Sequence, residues 1–109
     1  IYVVTGQPTG EPTVDGFSQL WAIAPDGTAT MLADLLAYEQ ENNPDELPDA
    51  PDMEPGINSN PYAVLATDDA IYVADAGGND ILRVEFDGTI STYAVLPFTE
   101  AEAPEFLGL

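Results

Sequence analysis

Apolar residues fall in short runs of strand length, divided by turn residues. The runs are Ile1-Tyr2-Val3-Val4, Leu20-Trp21-Ala22-Ile23, Met31-Leu32-Ala33, Tyr62-Ala63-Val64-Leu65-Ala66, Ile71-Tyr72-Val73-Ala74, Ile81-Leu82-Arg83-Val84 and Tyr93-Ala94-Val95-Leu96. Asp26-Gly27 and Asp87-Gly88 each stand between two such runs and before a Thr. Asp-Gly tolerates the positive φ values of a tight turn, so each pair predicts a hairpin.

The runs repeat. Ile1 to Val4 matches Ile71 to Ala74 at an offset of 70, and Gln19 to Thr28 matches Asp80 to Thr89 at an offset of 61. The second match continues through Met31 to Leu35 against Thr92 to Leu96. The difference of nine is an insertion within Thr5 to Ser18, whose counterpart is only Asp75 to Asn79. The second unit reads as a four-stranded antiparallel meander, with strands over 62–66, 71–74, 80–86 and 89–96. The first unit lacks the innermost strand, which would precede Ile1.

Trp21 aligns with Leu82, and Ile23 with Val84; Leu20 and Ile81, of opposite parity, are also apolar. Both faces of this strand are therefore expected to be at least partly buried, as when four-stranded sheets stack face to face around an axis. A two-sheet sandwich would show cleaner alternation. The expected fold is all-β: about two four-stranded antiparallel blades of a larger β-propeller. Residues 1–35 form an incomplete blade of three outer strands. Residues 36–59 form an acidic, Pro-rich inter-blade loop, and 60–96 a complete blade. Residues 97–109 begin the next loop. Within 36–59, Asp34 can N-cap a short helix from Leu35 to Asn42 before Pro44 ends it. The chain starts in a strand and stops at Phe106-Leu107-Gly108-Leu109, so it reads as a piece of a longer one.

Charge narrows the chemistry. Twenty Asp and Glu face a single basic side chain, Arg83, for a net charge of -19. Phosphate neutralisation needs clustered Lys and Arg, so nucleic acid is excluded as a partner. Adsorption to anionic membranes is disfavoured, and no run approaches a membrane span. With no His and no Cys, this chain holds no Ser-His-Asp triad, Cys nucleophile or His/Cys zinc site. Hard-cation ligation by oxygen, carboxylate acid–base work and pure binding remain.

Propeller topology would gather the loops. The 2–3 turn and the crossover to the next blade share one face of the disc, so 5–18, 36–59, 75–79 and 97–109 meet there. These segments carry 13 of the 20 acids. The bland reading is a solvated acidic surface. The functional one is attraction of a divalent cation, with calcium bound no tighter than millimolar on loose Pro-rich loops. Asn58 and Asn60, at the entrance to the innermost strand, and Asp75 and Asn79, flanking the Gly pair, are the metal-ligand candidates. Asp75-Ala76-Gly77-Gly78-Asn79-Asp80 partly resembles a calcium nonapeptide repeat, but as one defective copy. A Gly-rich turn with Asp75 or Asn79 bonding backbone amides is the simpler reading. Asn60 has a capping role as its simpler reading, and Pro61 suits a strand start. Arg83 is read as half of a structural ion pair. Trp21, Asp26, Gly27, Asp87 and Gly88 are also structural.

The runs Ser59-Asn60-Pro61-Tyr62-Ala63-Val64 and Ile71-Tyr72-Val73-Ala74-Asp75-Ala76-Gly77-Gly78-Asn79-Asp80 resemble an NHL-type propeller repeat. With Tyr2-Val3-Val4-Thr5-Gly6, Ala33-Asp34-Leu35, Tyr38-Glu39, Asn42-Asn43-Pro44, Ser91-Thr92-Tyr93-Ala94-Val95 and Phe106 to Leu109, the chain is similar to the ScyD/ScyE family. The resemblance implies a propeller of about six blades, export to an extracellular or periplasmic setting, and no catalytic motif. A non-catalytic binding or structural module follows, with remaining blades of the same chain or other copies as its expected partners. The alternative is a calcium-dependent hydrolase or lactonase-like six-bladed enzyme. Such enzymes hold their ion with Glu, Asp and Asn at inner-strand entrances, where this chain offers only Asn58 and Asn60.

Overall fold

The computed structural model describes residues 1–6, 17–42, 44 and 59–97. They form two antiparallel sheets and one short helix. The first sheet has three strands in the order β1 (Tyr2–Val4), β2 (Gln19–Ile23), β3 (Ala29–Asp34). The second has four, β4 (Pro61–Ala66), β5 (Ile71–Asp75), β6 (Asp80–Val84) and β7 (Ile90–Val95), also in chain order. Helix α1 (Leu35–Asn42) joins the sheets directly after β3. Asp34 caps it by accepting a hydrogen bond from the Ala37 N–H at 3.0 Å. That bond satisfies one of the donors orphaned in the first turn.

The two sequence units share one architecture. Tyr2 pairs with Ala22 and Tyr72 with Arg83, while Val4 pairs with Leu20 and Ala74 with Ile81. In the next pair of strands, Trp21 faces Met31 and Leu82 faces Thr92. The register slips at the same place in both, between Leu20 and Trp21 and between Ile81 and Leu82. Even the backbone exception before the slip repeats: Ser18 and Asn79, 61 residues apart, both have φ of 55°. Their carbonyls accept from the N–H groups of Leu35 and Leu96 respectively, the same pair at the same offset. A left-handed non-glycine residue is costly, so its recurrence marks one turn geometry used twice.

Both Asp-Gly pairs lie in hairpin turns, between β2 and β3 and between β6 and β7. Within each Asp-Gly pair the glycine carries the positive φ, Gly27 at 90° and Gly88 at 95°. The Gly27 N–H donates to the Ala24 carbonyl and the Ala24 N–H donates to the Thr28 carbonyl. Glu85, Gly88 and Thr89 do the same. These are three-residue loops closed by a left-handed glycine. Each Asp instead accepts from the N–H two residues on, Thr28 or Thr89, at 2.9 Å. Strand β6 consequently ends at Val84, with Phe86 and Asp87 in the turn, and β7 covers 90–95.

The core lies between the sheets. Leu20, Ala33 and Leu35 from the first unit meet Ile71, Val73, Leu82 and Val84 from the second. Tyr2, Val4 and Leu32 pack against this cluster from one side, and Val64 and Ile90 from the other. Directly paired residues share a face, so the first sheet buries the side carrying Tyr2, Val4 and Leu20. The second sheet buries the opposite side, carrying Ile71, Val73, Leu82 and Val84. Sequence equivalents thus have opposite fates: Leu20 is fully buried while Ile81 is half-buried, and Leu82 is fully buried while Trp21 is half-buried. No helix among the described residues is long and apolar enough to cross a membrane.

Candidate cation site beneath the helix

Three carboxylates converge where α1 crosses the β5–β6 turn. One oxygen each from Glu39, Asp75 and Asp80 lies within 4.8 Å of the others, and all three side chains are at most 2% exposed. Each arrives from a different piece of local structure. Glu39 is on the second turn of α1, aimed at the sheet by the Asp34 cap. Asp75 ends β5, and Asp80 begins β6 directly across from it. The Ala76-to-Asn79 turn brings them together.

Asp75 is the organiser. Its Oδ1 accepts hydrogen bonds from the backbone N–H groups of Asn60 at 2.6 Å and of Gly77 and Gly78 at 3.0 Å. Its Oδ2 accepts from the Ser59 hydroxyl at 2.6 Å. One side chain therefore fixes the Gly-rich turn and the entry to β4 together. The Ser59 carbonyl in turn accepts from the buried Ser18 hydroxyl at 2.9 Å, which ties in the first sheet. Gly78 is required by close approach: a Cβ there would sit within 3 Å of all three atoms of the Glu39 carboxylate. The glycine lets the helix settle on the turn.

Burial of three carboxylates this close is expensive without compensation, because desolvation and mutual repulsion both oppose ionisation. Four donors satisfy Asp75. No basic side chain assists, since Arg83 is the only one in the sequence. Its Nε donates to Glu85 Oε1 at 2.8 Å and its Nη1 to the Tyr72 hydroxyl at 3.0 Å, with the guanidinium 5.7 Å from the Tyr72 ring centre. That makes Arg83 the expected structural pair, and the Glu85 hydrogen bond raises its pKa further above the ordinary arginine value. The three carboxylates together could hold a hard cation. The donor set fits calcium or magnesium, which take oxygen ligands, rather than a softer metal. Three carboxylates fall short of the six to eight oxygens calcium prefers. All three groups are buried, so an ion there would brace the helix and the turn.

The structure sorts the ligand candidates. Asp75 is in the cluster. Asn60 is beside it, but through its backbone: its N–H donates to Asp75 and its carbonyl accepts from the Ala76 N–H at 3.1 Å. Asn79 turns away, its Nδ2 donating to the Leu96 carbonyl at 3.0 Å. Asn58 lies outside the described residues. Glu39 and Asp80 were not singled out. Glu39 was counted among the acids of the loop face, and its meeting with Asp75 agrees with the expectation that 36–59 and 75–79 share a side. Asp80 had a signal in sequence, two acids five residues apart across a predicted turn, which places them opposite each other in a hairpin.

Comparison with protein-family models, curated proteins and solved structures yields no match.

Proposed function

We propose that this chain is a non-catalytic structural and binding module, whose stacked sheets are blades of a larger β-propeller of the NHL-like, ScyD/ScyE type. The observation that carries the reading is the second use of one blade plan at fixed offsets, with opposite faces packed together. Stacking of that kind can continue, because each added sheet presents the face that the next one needs. The buried carboxylate cluster supports the non-catalytic side of the reading: its groups hold a helix on a turn. Export to an extracellular or periplasmic setting belongs to the same proposal and rests on the resemblance.

A tandem polypeptide tests the propeller. Three copies fused head to tail carry six sheets. Small-angle scattering should give a closed disc that melts in one cooperative step. A string of independently melting units contradicts the reading.

One observation favours a second reading, a calcium-dependent hydrolase: an all-oxygen donor set at the loop end of the blade. Calorimetry separates the two. Calcium binding of millimolar strength or none fits a structural latch, whereas micromolar affinity with hydrolysis of lactone or ester substrates favours the enzyme.

A further inference from the structure

We propose that the two outer sheet faces of this chain are complementary halves of one interface, and that a second copy of the chain occupies each. This rests on the repeat-module reading and specifies the partner.

The contact between the sheets is the template. It joins the Tyr2–Val4–Leu20 side of the first sheet to the Val73–Leu82–Val84 side of the second. The second sheet's outer side carries Tyr72, Ala74 and Ile81 at the positions equivalent to Tyr2, Val4 and Leu20. The first sheet's outer side carries Val3, Trp21 and Ile23 at the positions equivalent to Val73, Leu82 and Val84. Among the described residues one face of each kind is thus left uncovered, and a neighbouring copy supplies the missing partner to both. Such head-to-tail contact is heterologous, closing into a ring or running on as a filament.

Further observations fit this occupant. Leu65 and Tyr93 on one outer face and Val3 and Met31 on the other are large, apolar and exposed. An apolar hollow of about 230 Å³ opens among Leu65, Tyr72, Ala74 and Ile81. Acids are kept off both faces: in a chain with 20 of them, those within strands stand only at strand ends, at Asp34, Asp75 and Asp80, and the charged side chain within the strands of the second sheet's outer face is Arg83, opposite Tyr72 and bonded to it and to Glu85. Depletion of charge is what the centre of an interface requires. Finally, the hairpin glycines differ as the template demands. A Cβ on Gly88 would lie 2.6 Å from the Leu32 carbonyl oxygen, at the existing contact, whereas nothing among the described residues lies within 4 Å of one on Gly27. Tyr93, the equivalent of Leu32, would fill that space from a second copy. The indole N–H of Trp21, which has no acceptor among the described residues, would lie within the same interface.

Trp21 is the only tryptophan, so its emission reports on one face alone. Light scattering and fluorescence are followed on the whole chain as concentration rises, at about 0.01 M and about 0.1 M salt. The expected result is a growing mass with a blue shift of Trp21 emission. It should be stronger at the higher salt, where the Debye length falls from about 30 to about 10 Å and repulsion between acidic copies is screened. Met31→Glu and Leu65→Glu each spoil one face at an exposed position. Each variant alone should associate at least about tenfold more weakly than the wild type. Mixed, they should form a one-to-one dimer that grows no further, since one intact face remains on each. Unchanged far-UV circular dichroism establishes that the variants fold, and the wild-type series stands without them. A folded wild type that stays monomeric throughout overturns the inference. So does self-pairing by either variant, which would mean that like faces meet. A monomeric wild type beside a closed three-copy fusion points to a further repeat of a longer chain as the occupant; a fusion that behaves as separate units overturns the module reading itself.

Discussion

The first sheet and the last three strands of the second were folded from related sequence with one register, one slip and one left-handed turn residue, yet they bury opposite sides. Leu20 is sealed in the core and Ile81 is half open to solvent; Leu82 is sealed and Trp21 is half open. Nothing local causes this. The pairing pattern is the same, and apolar residues occupy both parities of β2 and β6. What differs is which side the neighbouring sheet lies on. A strand apolar on both faces does not choose its core. Its position in the stack chooses, and the comparison gives the stack a direction with two unlike ends.

The largest effect expected from breaking this comparison is at equivalent pairs. In dilute protein, Leu20→Ala should cost about 2–5 kcal/mol of stability, the usual range for a buried leucine. Ile81→Ala, at the equivalent position, should cost about 1 kcal/mol. Urea melts of the two variants measure the difference. Equal losses would mean that both sides are packed alike.

The turn after the second-unit strand β5 and its counterpart after β1 supply the next contrast. Asp75 accepts four hydrogen bonds, and its removal by Asp75→Ala leaves three backbone donors and a hydroxyl to find new partners. The expected loss is on the order of 3 kcal/mol. Thr5 is the equivalent residue; its hydroxyl accepts from the Gln19 N–H at 3.1 Å, and Thr5→Ala should cost about 1 kcal/mol. Thermal denaturation of both variants reads the ordering.

Smaller effects are expected at the hairpin glycines. Gly27→Ala should cost about 1–2 kcal/mol, the strain of a left-handed L-residue. Gly88→Ala adds a clash with the Leu32 backbone and should be the worse of the two. On association of copies the gap should narrow, since Gly27 then acquires a neighbour. Equal costs in dilute protein would remove the asymmetry between the ends.

The smallest effect should show no contrast at all. Asp26 and Asp87 are held below their ordinary pKa of 3.8, chiefly by the backbone N–H groups of Thr28 and Thr89. A lowered folded value means that their contribution is complete above 3.8 and fades as pH falls through the lower value. Because the loops are local and exposed, both hairpins should loosen together. Amide shifts of Thr28 and Thr89 during acid titration follow this, and a difference between them would show that stacking reaches the loops.

Much of this architecture is legible in the chain. The offsets of 70 and 61 carry the strand pairing, Asp34 with Pro44 brackets the helix, and the Gly pair marks the turn. Legibility ends where distant segments meet. Tyr-Val-Val against Tyr-Val-Ala does not reveal which side packs, because that depends on the neighbouring sheet. Nor does the sequence of 36–59, with its seven acids, single out Glu39 as the one that reaches Asp75; the helix phase set by Asp34 and the missing side chain of Gly78 decide that. The Asp-Gly pairs mark the hairpins but leave the loop length open, because a three-residue loop ending in Gly and a two-residue loop share the same dipeptide.

Hydroxyl-radical footprinting read by mass spectrometry tests most directly whether the two sheets bury opposite sides. In dilute protein at low salt, Trp21, Met31, Leu65 and Tyr93 should be labelled, while Leu20 and Leu82 stay protected. At concentrations where copies associate, the first four should become protected together. Labelling of Leu82 in the dilute chain, or protection of Trp21 and Tyr93 before any association, would contradict the account.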